Sequence, residues 1–344
     1  MDDVAARAGV SRALVSLVMR GSPKVSAEKR DAVERAAAQL GYRANAHARG
    51  LASRRTRTLG VLLSDLHNPF FAEMYDGIEQ AATATGYRLL LGTGNRRPNR
   101  EESTVDSFLE HRVDGLLLLS PRMSSSAIGQ VALSTPLVLV GRSARLAGVD
   151  TVSSDDRKGA EIAVNHLVAL GHKNIVHLHG GNGAGAAARK AGYERAMRAA
   201  GFGDLIDSRP CDFTELGGAR AAEEIFDREN GAWDTTAIFA ANDLAAAGVL
   251  NACARLNIPV PERISVIGYD NTAYASLHHV SLTTIDQPRF EMGRLAVQLL
   301  IQRLDGRTED RHEVLEPSLV VRDTTDLHHA ADVTTVEPIT ALRF

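Results

Sequence analysis

The sequence predicts an α/β protein with a three-helix head, a hinge helix and a two-lobed body of parallel sheets. Three observations carry this. Beyond residue 58, short continuous apolar runs alternate with helical stretches, the pattern of strands buried on both faces. Such units are too many for one sheet of ordinary size, so the body divides into two lobes. Residues 1–57 carry 12 Lys/Arg against 5 Asp/Glu, a net of +7, while the remainder is −10. A basic head on an acidic body points to a head that meets a polyanion.

Bulk composition sets the outer limits. A chain of 344 residues, 44% hydrophobic and 24% charged, excludes wholesale disorder and suits two or three domains. Two cysteines, Cys211 and Cys253, cannot form a disulfide framework, so a reducing cytoplasm is the expected location. No apolar run reaches the roughly 18 residues of a membrane span. The acidic start Met1-Asp2-Asp3 does not read as a signal peptide.

Within the head, Val4, Ala5 and Ala8 sit at helical spacing. Gly9 ends that helix because it takes φ > 0 without steric cost. Val10 is placed to plug the core, and Ser11 to N-cap a second helix carrying Leu14, Val15 and Val18. Gly21-Ser22-Pro23 breaks the chain. Ser26 is the expected cap of a third helix, with Ala32, Val33, Ala36 and Leu40 facing inward and Gly41 stopping it. Three short helices, a tight glycine turn and a basic surface describe a helix-turn-helix reader of the major groove.

The run Asp3-Val4-Ala5, Ala8-Gly9-Val10-Ser11, Val15-Ser16, Val25-Ser26 and Leu40-Gly41-Tyr42 resembles the LacI/GalR family of transcription regulators, and the likeness spans residues 2–325. It implies a DNA interface of Ser11, Arg12, Ala13, Ser16, Leu17 and Arg20. Arg12 at the start of the second helix would bind guanine O6 and N7; the competing reading is a phosphate clamp. Leu17 and Arg20 depart from the family's usual Arg and Asn. Leu17 can touch a thymine methyl but cannot hydrogen-bond a base, so a different operator is expected.

Residues 45–53 resemble the family's hinge helix, which forms on DNA and wedges paired leucines into the minor groove. The resemblance gives Asn45, Ala48, Leu51 and Arg54 that role, with Leu51 as the wedge. Gly50 and the short length disfavour an isolated helix. Ala44 stands where the family has Pro. Arg54, Arg55 and Arg57 continue the basic run toward phosphates.

In the body, strands are predicted at 58–64, 87–92, 113–120, 137–140, 174–179, 236–240 and 264–268. Helices are predicted at 69–85, 98–111, 123–133, 156–170, 185–200, 215–229, 242–256 and 288–304. The resemblance extends to periplasmic sugar-binding proteins and implies a cleft between lobes crossed by three strands. The expected division is 1–44 for the head, 45–57 for the hinge and linker, and 58–325 for the body. The first lobe is placed at 58–153 and 289–315, the second at 154–286 and 316–325, and 326–344 is an expected disordered tail.

Ligands in such sheets bind beyond the carboxyl ends of strands. Asn68, Phe70 and Phe71 follow the first body strand and match a family motif; the two rings would stack on a pyranose or purine, or else simply fill core. Arg142 follows 137–140, where Gly141 replaces a usual Asp. Arg189 and Phe213 match cleft positions, and Asn242, Asp270 and Gln287 end further strands. Such planar polar groups suit paired hydroxyls; capping is the competing reading for Asn242 and Asp270. The expected effector is a sugar or sugar derivative, with a purine second.

Enzyme signals are weak. The glycine run 180–185 fits no nucleotide-binding motif. His278-His279 and His328-His329 lack partners at metal-site spacing, and no nucleophile elbow occurs. No catalytic residue, metal or cofactor is expected. The tail has no heptads, so the expected assembly is a homodimer on a pseudo-palindromic double-stranded operator. The composite expectation is a repressor whose DNA affinity is changed by an effector; the alternatives are a solute-binding receptor or an α/β enzyme acting on a sugar or nucleotide.

Overall fold

The computed structural model describes residues 1–19, 22–42, 55–227 and 234–328. The head holds α1 (Asp2–Ala8), α2 (Arg12–Met19) and α3 (Ala27–Gln39) around Val4, Val15, Val18 and Val33. Gly9 takes φ 65° and closes α1, and the Val10 amide donates to Ala5 O at 3.0 Å. Ser11 Oγ accepts from the Leu14 amide at 3.2 Å, the expected cap of α2. Two expectations fail here. Ser26 precedes α3 in an extended conformation, but its side chain makes no capping bond. Leu40 is exposed, because α3 ends at Gln39 and Gly41 reverses the chain so that Tyr42 packs instead.

Among the described residues, the body contains two six-stranded sheets. The first runs β11 (His312–Leu315), β5 (Val149–Ser154), β4 (Leu137–Val140), β3 (Gly115–Leu119), β1 (Thr58–Leu63), β2 (Arg88–Thr93), all parallel. Alternate residues of its strands serve opposite faces. Leu117 and Leu119 pack under α4 (Phe70–Ala84) and α11 (Arg289–Leu304). Leu116 and Leu118 pack under α5 (Pro98–Glu110) and α6 (Ser125–Ala132). α4 and α11 cross closely: a Cβ on Gly77 would lie 2.0 Å from Phe290 O, and one on Gly293 2.0 Å from Met74 O.

The second sheet runs β12 (Ser318–Val320), β10 (Thr283–Asp286), β9 (Ser265–Asp270), β8 (Ala237–Phe239), β6 (Ile175–His179), β7 (Asp207–Pro210). It is parallel except for β12, which pairs antiparallel with β10. α7 (Asp156–Ala169) and α8 (Ala186–Ala199) cover one face, α9 (Glu215–Phe226) and α10 (Asp243–Arg255) the other. In each sheet one early strand, β1 or β6, has its successor on one side and the next strand on the other. That reversal opens a crevice at the strand carboxyl ends.

The chain passes between sheets three times: from β5 to α7, from β10 to α11, and from β11 to β12. Arg289 stands at the second passage. Its Nη2 reaches Glu73 Oε2 of α4 at 2.6 Å and donates to Asn271 O, beyond β9, at 2.6 Å.

At the body's entry, the Asp114 carboxylate accepts from the Thr56 amide, Thr56 Oγ1 and the Arg57 amide at 2.7, 2.9 and 2.8 Å. Arg55, an expected phosphate contact, pairs with Asp305 at 3.0 Å at the adjacent end of α11. The hinge residues 45–53 with Ala44 and Arg54, the base-reading candidate Arg20, and tail residues 329–344 lie outside the described residues. The first residues of the expected tail are fixed. His172 Nε2 lies 3.1 Å from Asp326 O, and the His328 amide donates to Leu170 O at 2.8 Å.

Candidate functional site

An open cleft of about 570 Å³ lies between the two sheets' carboxyl ends. Its second-lobe wall is built around Arg189 on α8. The guanidinium lies 3.7 Å from the Tyr269 ring centroid and 5.6 Å from that of Phe213, a cation–π sandwich. Its Nε donates to Asp156 Oδ1 at 2.8 Å, and Nη1 donates to Ala241 O at 2.7 Å. Burial opposes the charge, but Asp156, Tyr269 and Asp270 raise the pKa above its ordinary value. Asp270 ends β9 at φ 111°, in the left-handed region that disfavours a side chain. Gln287 Nε2 donates to its Oδ1 at 2.7 Å. Burial pushes the Asp270 carboxyl up, and Arg189 at 3.9 Å pulls only partly against it. Gly180 and Gly183 clasp the Phe213 ring; a Cβ on either would come within 2.3 Å of it. The glycine run is therefore a ring-holding cleft loop.

The first-lobe wall comes from residues just past β1, β2 and β3. Ser64 and Asp65 follow β1, Arg96 follows β2, and Ser120 and Arg122 follow β3. Buried Glu101 braces them. Its Oε1 accepts from Ser64 Oγ at 2.9 Å, and Oε2 accepts from the Arg122 and Met123 amides at 2.6 and 2.9 Å. Phe70 and Phe71 meet edge to face at 5.2 Å, lining the cleft while also filling the core under the first sheet. Asn68 Oδ1 accepts from the Phe70 amide at 3.0 Å.

The head presents a second surface. Arg12 and Ala13 open α2 and are exposed beside Ser11, and the Arg12 side chain is 69% exposed, with Asp2 3.7 Å away. Ser16 is half-buried. Leu17, expected at the DNA surface, is also half-buried and packs against the head core, since its position on α2 turns it toward the hydrophobic side.

Comparison with known proteins decides what these two surfaces belong to. Residues 1–45 match the family model of bacterial regulatory proteins of the lacI family, and residues 164–325 match a periplasmic binding protein-like domain. Catabolite control protein A of Priestia megaterium is 33% identical over 92% of this chain and 95% of its own. The chain belongs to the lacI family. Among solved structures, a lac repressor dimer bound to operator and the anti-inducer ONPF is similar, with a TM-score of 0.82. Its identity is 28%, over 94% of this chain and 98% of that one. The transcriptional regulator CelR in complex with cellobiose has a TM-score of 0.70 and 33% identity, with the same coverage of 94% and 98%.

For this lacI-family chain, the cleft brings together Asn68, Phe70, Phe71, Arg189, Phe213, Asp270 and Gln287. Two other sequence candidates are not among its lining residues. Arg142 Nη1 donates to Pro121 O and Met123 O at 3.0 and 2.6 Å, and Nη2 donates to Ser125 Oγ at 3.1 Å. Its guanidinium thus clamps the loop after β3. Asn242 is 1% exposed and its Oδ1 caps α10 by accepting from the Ala245 amide at 2.9 Å, while its Nδ2 is buried without a partner among the described residues. Reading residues for side-chain type missed Ser64, Asp65, Arg96, Ser120 and Arg122. Their signal was position alone, one to three residues beyond an apolar strand. Among the described residues, no group of three or more His, Cys, Asp or Glu is placed to hold a metal ion, and no helix is long and apolar enough to cross a membrane.

Proposed function

We propose that this protein is a transcriptional repressor of the cytoplasm whose operator affinity is set by a sugar or sugar derivative bound between the lobes. It acts as a homodimer on a pseudo-palindromic site and performs no catalysis. The carrying observation is the wall of Arg189, Asp270 and Gln287 against the Phe213 face: planar donors and acceptors beside an aromatic ring, the chemistry that takes up vicinal hydroxyls and a sugar's apolar face. The cellobiose complex of CelR and the operator complex of the lac repressor support the two halves of this reading. In the head, exposed Arg12 is the base-reading candidate and Ser11 and Ala13 flank it on the same surface.

Effector and operator are coupled, so each changes the other's affinity by the same factor. The test is a gel shift on DNA upstream of the chain's own gene, with and without sugars that bind in calorimetry. A discrete complex whose midpoint moves with a bound sugar is the expected result. An Arg12→Ala protein is expected to lose sequence preference while retaining salt-dependent binding. Failure to bind any pseudo-palindromic site under every ligand condition would refute autoregulation.

A further inference from the structure

The two walls of the cleft differ in charge. On the second-lobe wall, the Arg189 cation is answered by Asp156 at 2.8 Å. On the first-lobe wall, the lining carries two guanidinium groups, Arg96 and Arg122, and one carboxylate, Asp65, which lies 3.5 Å from Arg96 Nε; the Glu101 carboxylate behind that lining is taken up by Ser64 Oγ and the Arg122 and Met123 amides. Arg96 lines the cleft with its side chain 31% exposed, while its Nη1 is buried without a hydrogen-bond partner among the described residues. Arg122 makes no ion pair or side-chain hydrogen bond among the described residues. Its backbone is nevertheless fixed by Glu101, which is itself 0% exposed. Asn95 and Arg96 take φ 50° and 58°, an uncommon conformation for side-chain-bearing residues, and the Arg96 amide is tied to Ser64 O at 2.7 Å. The remaining first-lobe lining groups, Ser64, Asn68, Phe70, Phe71, Ser120 and Gly141, carry no charge. Guanidinium groups bond carboxylates and phosphates most strongly.

We propose that the ligand of this cleft is a carbohydrate carrying an anionic group, a carboxylate or a phosphate, held by Arg96 and Arg122 of the first lobe. This rests on the reading of the cleft as a sugar site and narrows it. The polyol lies toward Arg189, Asp270 and Gln287, and the anion lies toward β1–β3.

The test is calorimetric titration of the full chain with D-glucose and D-ribose, with the carboxylates D-gluconate and D-glucuronate, and with the terminal phosphate esters of both sugars. At least one anionic member is expected to bind about tenfold more tightly than its neutral parent. The carboxylate and phosphate arms tell which group the site takes. Arg122→Gln and Arg96→Gln should each cut the anionic-to-neutral affinity ratio by about tenfold. Arg97→Gln, an exposed neighbour, should leave that ratio alone. Neutral parents binding as tightly as every charged derivative would overturn the anionic assignment and leave the sugar reading standing. Binding by no sugar of either charge would overturn the sugar reading and this assignment together.

Discussion

The two lobes share a topology but not a chemistry. The central strands of the first sheet are apolar: Leu116 to Leu119 and Leu137 to Val140 are fully buried, and its functional polar groups stand beyond the strand ends. The second sheet and its helices carry polarity inside. His177 on β6 is buried, with Nδ1 3.0 Å from Phe239 O and its Nε2 without a partner. Asp243 on α10 accepts from the Thr272 amide, Thr272 Oγ1 and Thr284 Oγ1 at 2.6, 2.9 and 2.6 Å. The difference separates two ways of holding a site. In the first lobe, cleft loops stand at the ends of an apolar central sheet and are tied by one buried carboxylate, Glu101, while in the second the site side chains sit within a desolvated polar network whose members depend on one another.

The largest effect that tests this contrast is Arg189→Ala. It strands Asp156 in a nearly buried position and empties the space between Tyr269 and Phe213. Its expected cost is about 3–5 kcal/mol in denaturant unfolding, together with loss of sugar binding. The matching first-lobe change, Leu118→Ala, leaves a cavity worth about 2–5 kcal/mol but should leave the ligand dissociation constant within a few fold. If both changes weakened ligand equally at temperatures where each protein is folded, the division of labour between lobes would fail.

Acid gives the next contrast. Burial drives His177 down to about 3 and His172 down to about 4, so both are neutral when folded. Their contribution is present above the unfolded value near 6.5 and is lost as pH falls toward those folded values. In the first lobe, burial of Asp150 is outweighed by hydrogen bonds from Arg307 and Arg303, which hold its pKa below 3.8. Its contribution is lost only as pH falls below that. Asp243 and Asp270, both raised by burial, act in the opposite sense to the histidines over the same range. The histidine effect is therefore read as a difference. His177→Phe should gain stability relative to wild type as pH is lowered from 7 to 4, measured by urea midpoints. A pH-independent difference would show that His177 is not neutral by burial.

The smallest effect is a control. Ser124 Oγ caps α6 through the Ala127 amide, and Thr214 Oγ1 caps α9 through the Gly217 amide, each at 3.0 Å. Ser124→Ala and Thr214→Ala should each cost about 1 kcal/mol in thermal unfolding. Unequal losses would mean that the lobes differ in backbone order as well as in polarity.

The same contrast governs what was legible beforehand. The continuous leucine runs of β1 and β3 announced themselves, as did the helices over them. β5 (Val149–Ser154), β7 (Asp207–Pro210), β11 and β12 did not. They are short or polar, and only their sheet neighbours make them strands. At the cleft, aromatic and amide residues in a motif were readable, but the direction of a side chain was not. Arg142 looks like a ligand until the carbonyls of Pro121 and Met123 are seen to capture it. Arg96 and Arg122 went unread because strand boundaries are uncertain by a few residues, and their role depends on falling just past one.

Arg289 gives the molecule an internal set point. A single guanidinium nitrogen holds Glu73 on one lobe and Asn271 on the other, so a rotation of the lobes that separates those two residues must surrender at least one bond. In a chain whose lobes rotate, that contact would weigh on the balance between arrangements before any ligand arrives. A ligand displaces that balance only by the difference in its affinity for the two arrangements, and about 5.5 kcal/mol of difference is needed to invert a hundredfold bias. Tuning the strength of this one latch would retune the sensitivity of the whole switch without touching the cleft or the head.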